Sequence, residues 1–162
     1  MEKHNLYVIV GSTNTFMGQV IRRVTNSKYN HCSVVLDGIM YSFTRYYKHL
    51  WFTGCFCTES IDIFNNYTIF SISLSHNEYI QVLNFIDDLN NRFSVYNYIG
   101  ALLVLLNIPF NRDYSYICST FVSKILSFIS EIKLGENLGV YKPMDIFNLL
   151  RYSETDIVKE LV

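Results

Sequence analysis

Charge is scarce in this chain: only 17% of its 162 residues are Asp, Glu, Lys or Arg, and the formal net charge is -1. Proteins that grip nucleic acid carry clustered Lys and Arg to displace counterions, so that class of partner is not expected. Long apolar runs are also missing. The longest near the middle, Ala101 to Leu106, falls far short of the roughly 20 residues a membrane-spanning helix requires, and reads as a buried helix. Leu6 to Val10, cut off by Gly11, is too short for the apolar stretch of a secretory signal, so a cytoplasmic location is expected. Neither G-x-G-x-x-G nor a P-loop occurs, which leaves nucleotide chemistry without a foothold. The four cysteines, in a chain of this length without a signal, are expected to be reduced thiols rather than a disulfide framework. Cys55-Phe-Cys57 puts two thiols on one strand face, but no C-x-x-C pair or nearby histidine completes a four-ligand zinc set. No metal or other cofactor is expected.

What is present is apolar and aromatic. Half of the residues are hydrophobic and 16% are aromatic, enough to bury a substantial core in a single domain spanning residues 1–162. Leu6-Tyr-Val-Ile-Val10 reads as a buried strand, followed by a turn and then a helix capped by Thr15. In His31-Cys-Ser-Val-Val-Leu-Asp37-Gly38-Ile-Met-Tyr-Ser-Phe-Thr44 the Asp-Gly pair predicts a hairpin with a two-residue type I′ turn. If Leu36 pairs with Ile39, then Ser33 lies opposite Ser42 and His31 opposite Thr44. One face then carries His31, Ser33, Ser42 and Thr44, and the other carries Cys32, Val34, Leu36, Tyr41 and Phe43. Such a polar face is either solvated or the wall of a cleft.

Two more strands are expected over Trp51 to Glu59 and Tyr67 to Leu74. Ser75 with Glu78 forms a capping box for a helix ending near Asn91, and further helices are expected from about Tyr98 to Leu106, after Cys118, and after Pro143. Strands mostly precede helices, which indicates an α+β fold with an antiparallel sheet of about five strands packed against helices.

Cys118 precedes Phe121, Val122, Ile125 and Phe128, so it sits in the first turn of an amphipathic helix. Unpaired N–H groups at a helix start lower a thiol pKa and can hold an oxyanion. Position alone does not separate a nucleophile from a small buried hydrophobe. His31 is the natural base. His4 falls at the chain end, His49 in a Tyr- and Trp-rich loop, and His76 at a helix start. Cys32, Cys55 and Cys57 read as structural thiols.

The stretches T-F-M-G-Q-V-I-R-R-V-T, Y-N-H-C-S-V-V-L-D, M-Y-S-F-T-R and Y-I-C-S-T-F-V-S-K-I-L together resemble the circularly permuted NlpC-type papain-like hydrolases of the YiiX/YycO group. That family places the histidine strand before the cysteine helix, and the histidine activates the cysteine across a cleft. The resemblance implies Cys118 as nucleophile and His31 as base. For the residue that orients the base, many relatives have a carboxylate or second histidine on the next strand, where the register puts Ser42. Glu59, which matches a G-F-x-x-E-like feature of close relatives, is the preferred orienter. Tyr98 and Tyr116 are possible oxyanion donors. The implied activity is cysteine-dependent hydrolysis or acyl transfer on a peptide-like amide or a lipid-acyl group. Two rivals stand beside it: a catalytically silent binding or scaffold protein on the same fold, and a redox protein using Cys55 or Cys57.

Overall fold

The computed structural model describes residues 4–45, 54–92, 95–96, 98–109 and 115–162. In chain order, the elements are β1 (His4–Ser12), α1 (Phe16–Thr25), β2 (His31–Leu36), β3 (Ile39–Arg45), β4 (Gly54–Thr58), a 3-10 turn (Ile61–Ile63), β5 (Asn66–Leu74) and α2 (His76–Asn91). They continue with β6 (Val95–Tyr96), α3 (Tyr98–Leu105), β7 (Ser115–Tyr116), α4 (Cys118–Leu126), a second 3-10 turn (Leu138–Val140), α5 (Pro143–Arg151) and β8 (Val158–Glu160). The fold is α+β.

The main sheet has six antiparallel strands in the order β4-β3-β2-β1-β5-β8. This is one strand beyond the expected five. The extra one, β8, has only three residues, two of them charged, and its pairing with Phe70 to Ile72 of β5 replaces the local apolar pattern that would have announced it. β6 and β7 form a separate two-residue parallel ribbon. Trp51 to Thr53, expected to begin the strand that is seen as β4, lie outside the described residues, as does His49. His4 is not at a loose end: it opens β1, pairs with Leu74, and stacks on Tyr79 with ring centroids 3.9 Å apart.

The hairpin follows from its turn. Asp37 and Gly38 take positive φ of 51° and 79°, as a type I′ turn demands, and Leu36 pairs with Ile39, Val35 with Met40 and Val34 with Tyr41. Alternation then sorts the side chains. Leu6, Val8 and Val10 of β1, Cys32, Val34 and Leu36 of β2, and Phe70, Ile72 and Leu74 of β5 face one way into the main core. Helix α4 covers β2 and β3, α5 covers β1, and α2 covers β5. Phe121, Val122, Ile125 and Ile146 are fully buried there, each burial stabilising the fold by about 1.5–3 kcal/mol.

The opposite face is also closed. Ile9, Met40 and Phe64 form a second, smaller cluster with Val35, Tyr67 and Ile69. Gly11 is what lets the chain after the first 3-10 turn close down: a Cβ there would stand 2.4 Å from the Phe64 ring and 2.6 Å from the Asn66 carbonyl oxygen. His31 pairs with Gly11, and its ring lies 5.5 Å from that of Phe64. β2 is therefore buried on both sides at its first residues.

Candidate functional site

The polar face of the hairpin is a buried cluster and is not solvated. Ser33 and Ser42 are fully buried, and His31 is nearly so. The imidazole gains its place from both neighbours in sequence and from the sheet. Asn30 donates its backbone N–H to Gly11 O at 3.0 Å, while its side chain accepts from Thr13 N at 2.9 Å and donates to Thr13 O at 3.0 Å. That pins the residue before the base.

Glu59 lies just past β4, held by a bond from its backbone N–H to Met40 O at 3.0 Å. Its carboxylate stands 3.0 and 3.3 Å from His31 Nε2, and Ser33 Oγ donates to Oε2 at 2.9 Å. Thr44 adds a further hydrogen bond to the carboxylate. Ser42 Oγ is 3.3 Å from the same Nε2 and donates to Cys32 O at 3.4 Å. Glu59 and Ser42 are thus not exclusive. Both bear on Nε2, with the carboxylate the closer.

Cys118, the first residue of α4, also bears on the His31 ring, through a hydrogen bond and through charge. Ile117 occupies the cap position and has no side-chain oxygen to offer, so it leaves the first-turn N–H groups uncapped. Thr120 Oγ1 turns back to accept from Ile117 N at 3.0 Å. No acidic side chain lies in the first turn to offset the positive end of the helix.

A second thiol completes the surroundings, although its place in the sequence reads as structural. Cys32, on the opposite face of β2 from His31, hydrogen-bonds to Cys118 from the core side, and its backbone also bonds the Cys118 sulfur. The Cys32 contact, outweighing burial and aided by the His31 charge, holds Cys118 well below the usual thiol range. Burial pushes the Cys32 thiol up, and the nearby Cys118 and Glu59 charges push it further. Burial lowers His31, but the Cys118 and Glu59 charges outweigh it and raise the imidazole from 6.5 to about 10. Glu59 is held below its ordinary 4.5 despite its burial, chiefly by the His31 charge. The shifts agree in sign with a thiolate and an imidazolium side by side, backed by a carboxylate.

A cavity of about 220 Å³ opens beside Cys118, between α1, α3 and the start of α5. Ile21, Val104, Leu105 and Met144 give it apolar walls, with Lys142 and Asp145 also among its lining residues. Ser119 lines it next to the nucleophile, and its buried hydroxyl has no hydrogen-bond partner among the described residues.

Tyr116 is half-buried, its ring against Phe43 and Phe85, which is a packing position. The side chains of Tyr98 and Cys55 lie outside the described residues. Cys57 pairs with Ser42 across the β3–β4 ladder. Among the described residues, no group of three His, Cys, Asp or Glu side chains is arranged to hold a metal ion, and no helix is long and apolar enough to cross a membrane. No protein-family model, curated protein or solved structure matches the chain.

Proposed function

We propose that this chain is a cysteine-dependent hydrolase or acyltransferase with the circularly permuted papain-like architecture that its motifs resemble. One observation carries the reading. The Cys118 thiol stands at an uncapped helix start and interacts with the His31 imidazole, whose Nε2 lies 3.0 Å from the buried carboxylate of Glu59. Nucleophile, base and orienter are then linked in a row, the arrangement acyl transfer needs.

The chemistry follows from the charges. The Cys118 thiolate attacks an acyl carbon, and the carbonyl oxygen becomes an oxyanion beside the unpaired N–H groups of the α4 first turn. His31, an imidazolium at this point, gives a ring proton to the departing amine or alcohol as the carbon–heteroatom bond breaks. A thioester on Cys118 remains. Neutral His31 then takes a proton from water or an acceptor hydroxyl, whose oxygen attacks the thioester and releases the thiolate. Glu59 stays ionised throughout, fixing the ring and stabilising the imidazolium. The apolar walls beside Cys118 suit an uncharged acyl portion, whether a peptide-like group or a lipid chain.

Intact-mass spectrometry after exposure to a panel of activated esters and peptide amides tests the reading. An acyl adduct mapped to Cys118, absent from Cys118→Ala, is expected. A panel of lipid and peptide donors that leaves Cys118 unmodified would reject acyl transfer and favour a silent binding protein on the same fold.

A further inference from the structure

Within the candidate site, Cys32 helps to hold Cys118 ionised but takes no part in the bond-making and bond-breaking of acyl transfer. It is fully buried, so it meets no substrate, and it lies on the core face of β2, against the start of α4. Its sulfur hydrogen-bonds the Cys118 sulfur. Two adjoining thiols in one core cluster, one of them a helix-end nucleophile opening on a cavity, form a pair in which oxidation of the first brings the second into reaction.

We infer that Cys118 and Cys32 are a peroxide-responsive dithiol, in which Cys32 resolves oxidised Cys118 as an intramolecular disulfide and switches the nucleophile off reversibly. The Cys118 thiolate attacks a hydroperoxide oxygen: an S–O bond forms, the O–O bond breaks, and the departing hydroxide or alkoxide takes the His31 proton. Cys118 is then a sulfenic acid and His31 is neutral. The Cys32 sulfur attacks the Cys118 sulfur while its thiol proton passes to the departing oxygen; the S–S bond forms, the S–O bond breaks, and the hydroxide leaves as water with that proton. The thiol pair has lost two electrons and two protons, and the peroxide has been reduced. Reduction by an external dithiol restores both sulfurs.

The placement separates the two roles. Cys118 faces the cavity through which an oxidant arrives, while Cys32 is sealed in the core and remains protonated, so it is not attacked itself. Closing the pair requires the sulfurs to approach to about 2.05 Å. Without a resolving thiol, a sulfenic acid proceeds to irreversible sulfinic acid. The consequence for activity rests on the function proposed above; the dithiol chemistry does not.

The test treats the full chain with hydrogen peroxide at neutral pH, blocks the remaining thiols with maleimide, and maps peptides without reduction. The expected result is a Cys32–Cys118 linked peptide, an intact mass lower by two hydrogens, and full return of Cys118 labelling after dithiothreitol. In Cys32→Ser the same dose leads to a dimedone-trapped sulfenic acid, then to sulfinic acid that dithiothreitol does not reverse. Wild-type Cys118 passing to sulfinic acid with no linked peptide, or Cys32 linked to a different cysteine, overturns the inference, and both are read on the wild type even if the variant does not fold. A linked peptide in a protein that forms no acyl adduct upholds the dithiol and removes only the acyl-transfer reading.

Discussion

Glu59→Gln keeps the shape of the group beside His31 and removes its charge, so it isolates the electrostatic share of the orienter. Raising His31 from 6.5 to about 10, at about 1.4 kcal/mol per unit, corresponds to about 5 kcal/mol of linked stability from this one group. Burial works against the rise, and the Cys118 and Glu59 charges supply it in that order. Losing the carboxylate brings His31 down from about 10 toward its ordinary value, at a cost of about 3 kcal/mol, the lower end for breaking a buried pair. The sign is specific. His31, whose folded pKa is raised, contributes fully below 6.5 and loses that contribution as pH rises through about 10. Glu59, whose folded pKa is lowered, contributes above 4.5 and loses its share as pH falls below that. The stability gap between wild type and Glu59→Gln is therefore widest between 4.5 and 6.5 and shrinks toward 10. Urea unfolding at about pH 5.5, 7.5 and 9.5, with an NMR titration of the His31 ring, measures both quantities. Ser42→Ala, which removes only neutral contacts at 3.3 Å to His31 and 3.4 Å to Cys32 O, should cost about 1 kcal/mol and leave His31 well above 6.5. A gap that stays constant with pH, or a wild-type His31 titrating near 6.5, would refute the electrostatic account.

Two further outcomes are expected. Iodoacetamide should modify Cys118 first, well below about pH 8, while sealed Cys32 stays unmodified; His31→Ala should remove most of that preference, and equal labelling of all cysteines by peptide mapping would contradict it. Gly11→Ala should lower the melting temperature by about 3–10 °C in calorimetry, because a methyl group 2.6 Å from the Asn66 carbonyl oxygen forces backbone apart at a cost of about 1–3 kcal/mol; an unchanged transition would show that the Phe64 segment yields freely.

Much of the site's geometry was legible because it depends on one turn. Asp37-Gly38 fixes the pairing of Leu36 with Ile39, and strict alternation then places His31, Ser33, Ser42 and Thr44 on one face without any tertiary information. The two helix caps were legible for the same local reason: Thr15 Oγ1 accepts from Gly18 N at 3.1 Å, and Ser75 and Glu78 cap each other. What covers that polar face was not. Solvent and the Phe64 segment are equally compatible with the alternation, and the deciding residue is Gly11, whose missing side chain says only that something approaches closely. Cys32 escapes a sequence reading for a related reason. Its neighbours Val34 and Leu36 mark its face as core, and sequence does not say that the core at that point is the start of α4 with Cys118 upon it. The cavity has no sequence signal at all, because Ile21, Val104, Ile117 and Met144 come from separate elements that share no local pattern.

The adjacency of His31 and Cys32 shows why a doubly buried strand suits this chemistry. Successive side chains of a strand point to opposite faces, so two neighbouring residues ordinarily serve different environments. At the start of β2 both act on a single atom, the Cys118 sulfur, with the imidazole supplying a positive charge and the thiol a neutral donor. The imidazolium is held by the Cys118 charge and, from the second face of the sheet, by Glu59, which is tied to Ser33 and to the Met40 carbonyl. Opening that face would admit water to the pair and weaken the Coulomb attraction several-fold, since the same charges interact far less in a high dielectric. The Phe64 closure permitted by Gly11, though remote from Cys118, then belongs to the electrostatics of the thiol as much as to the packing of the sheet.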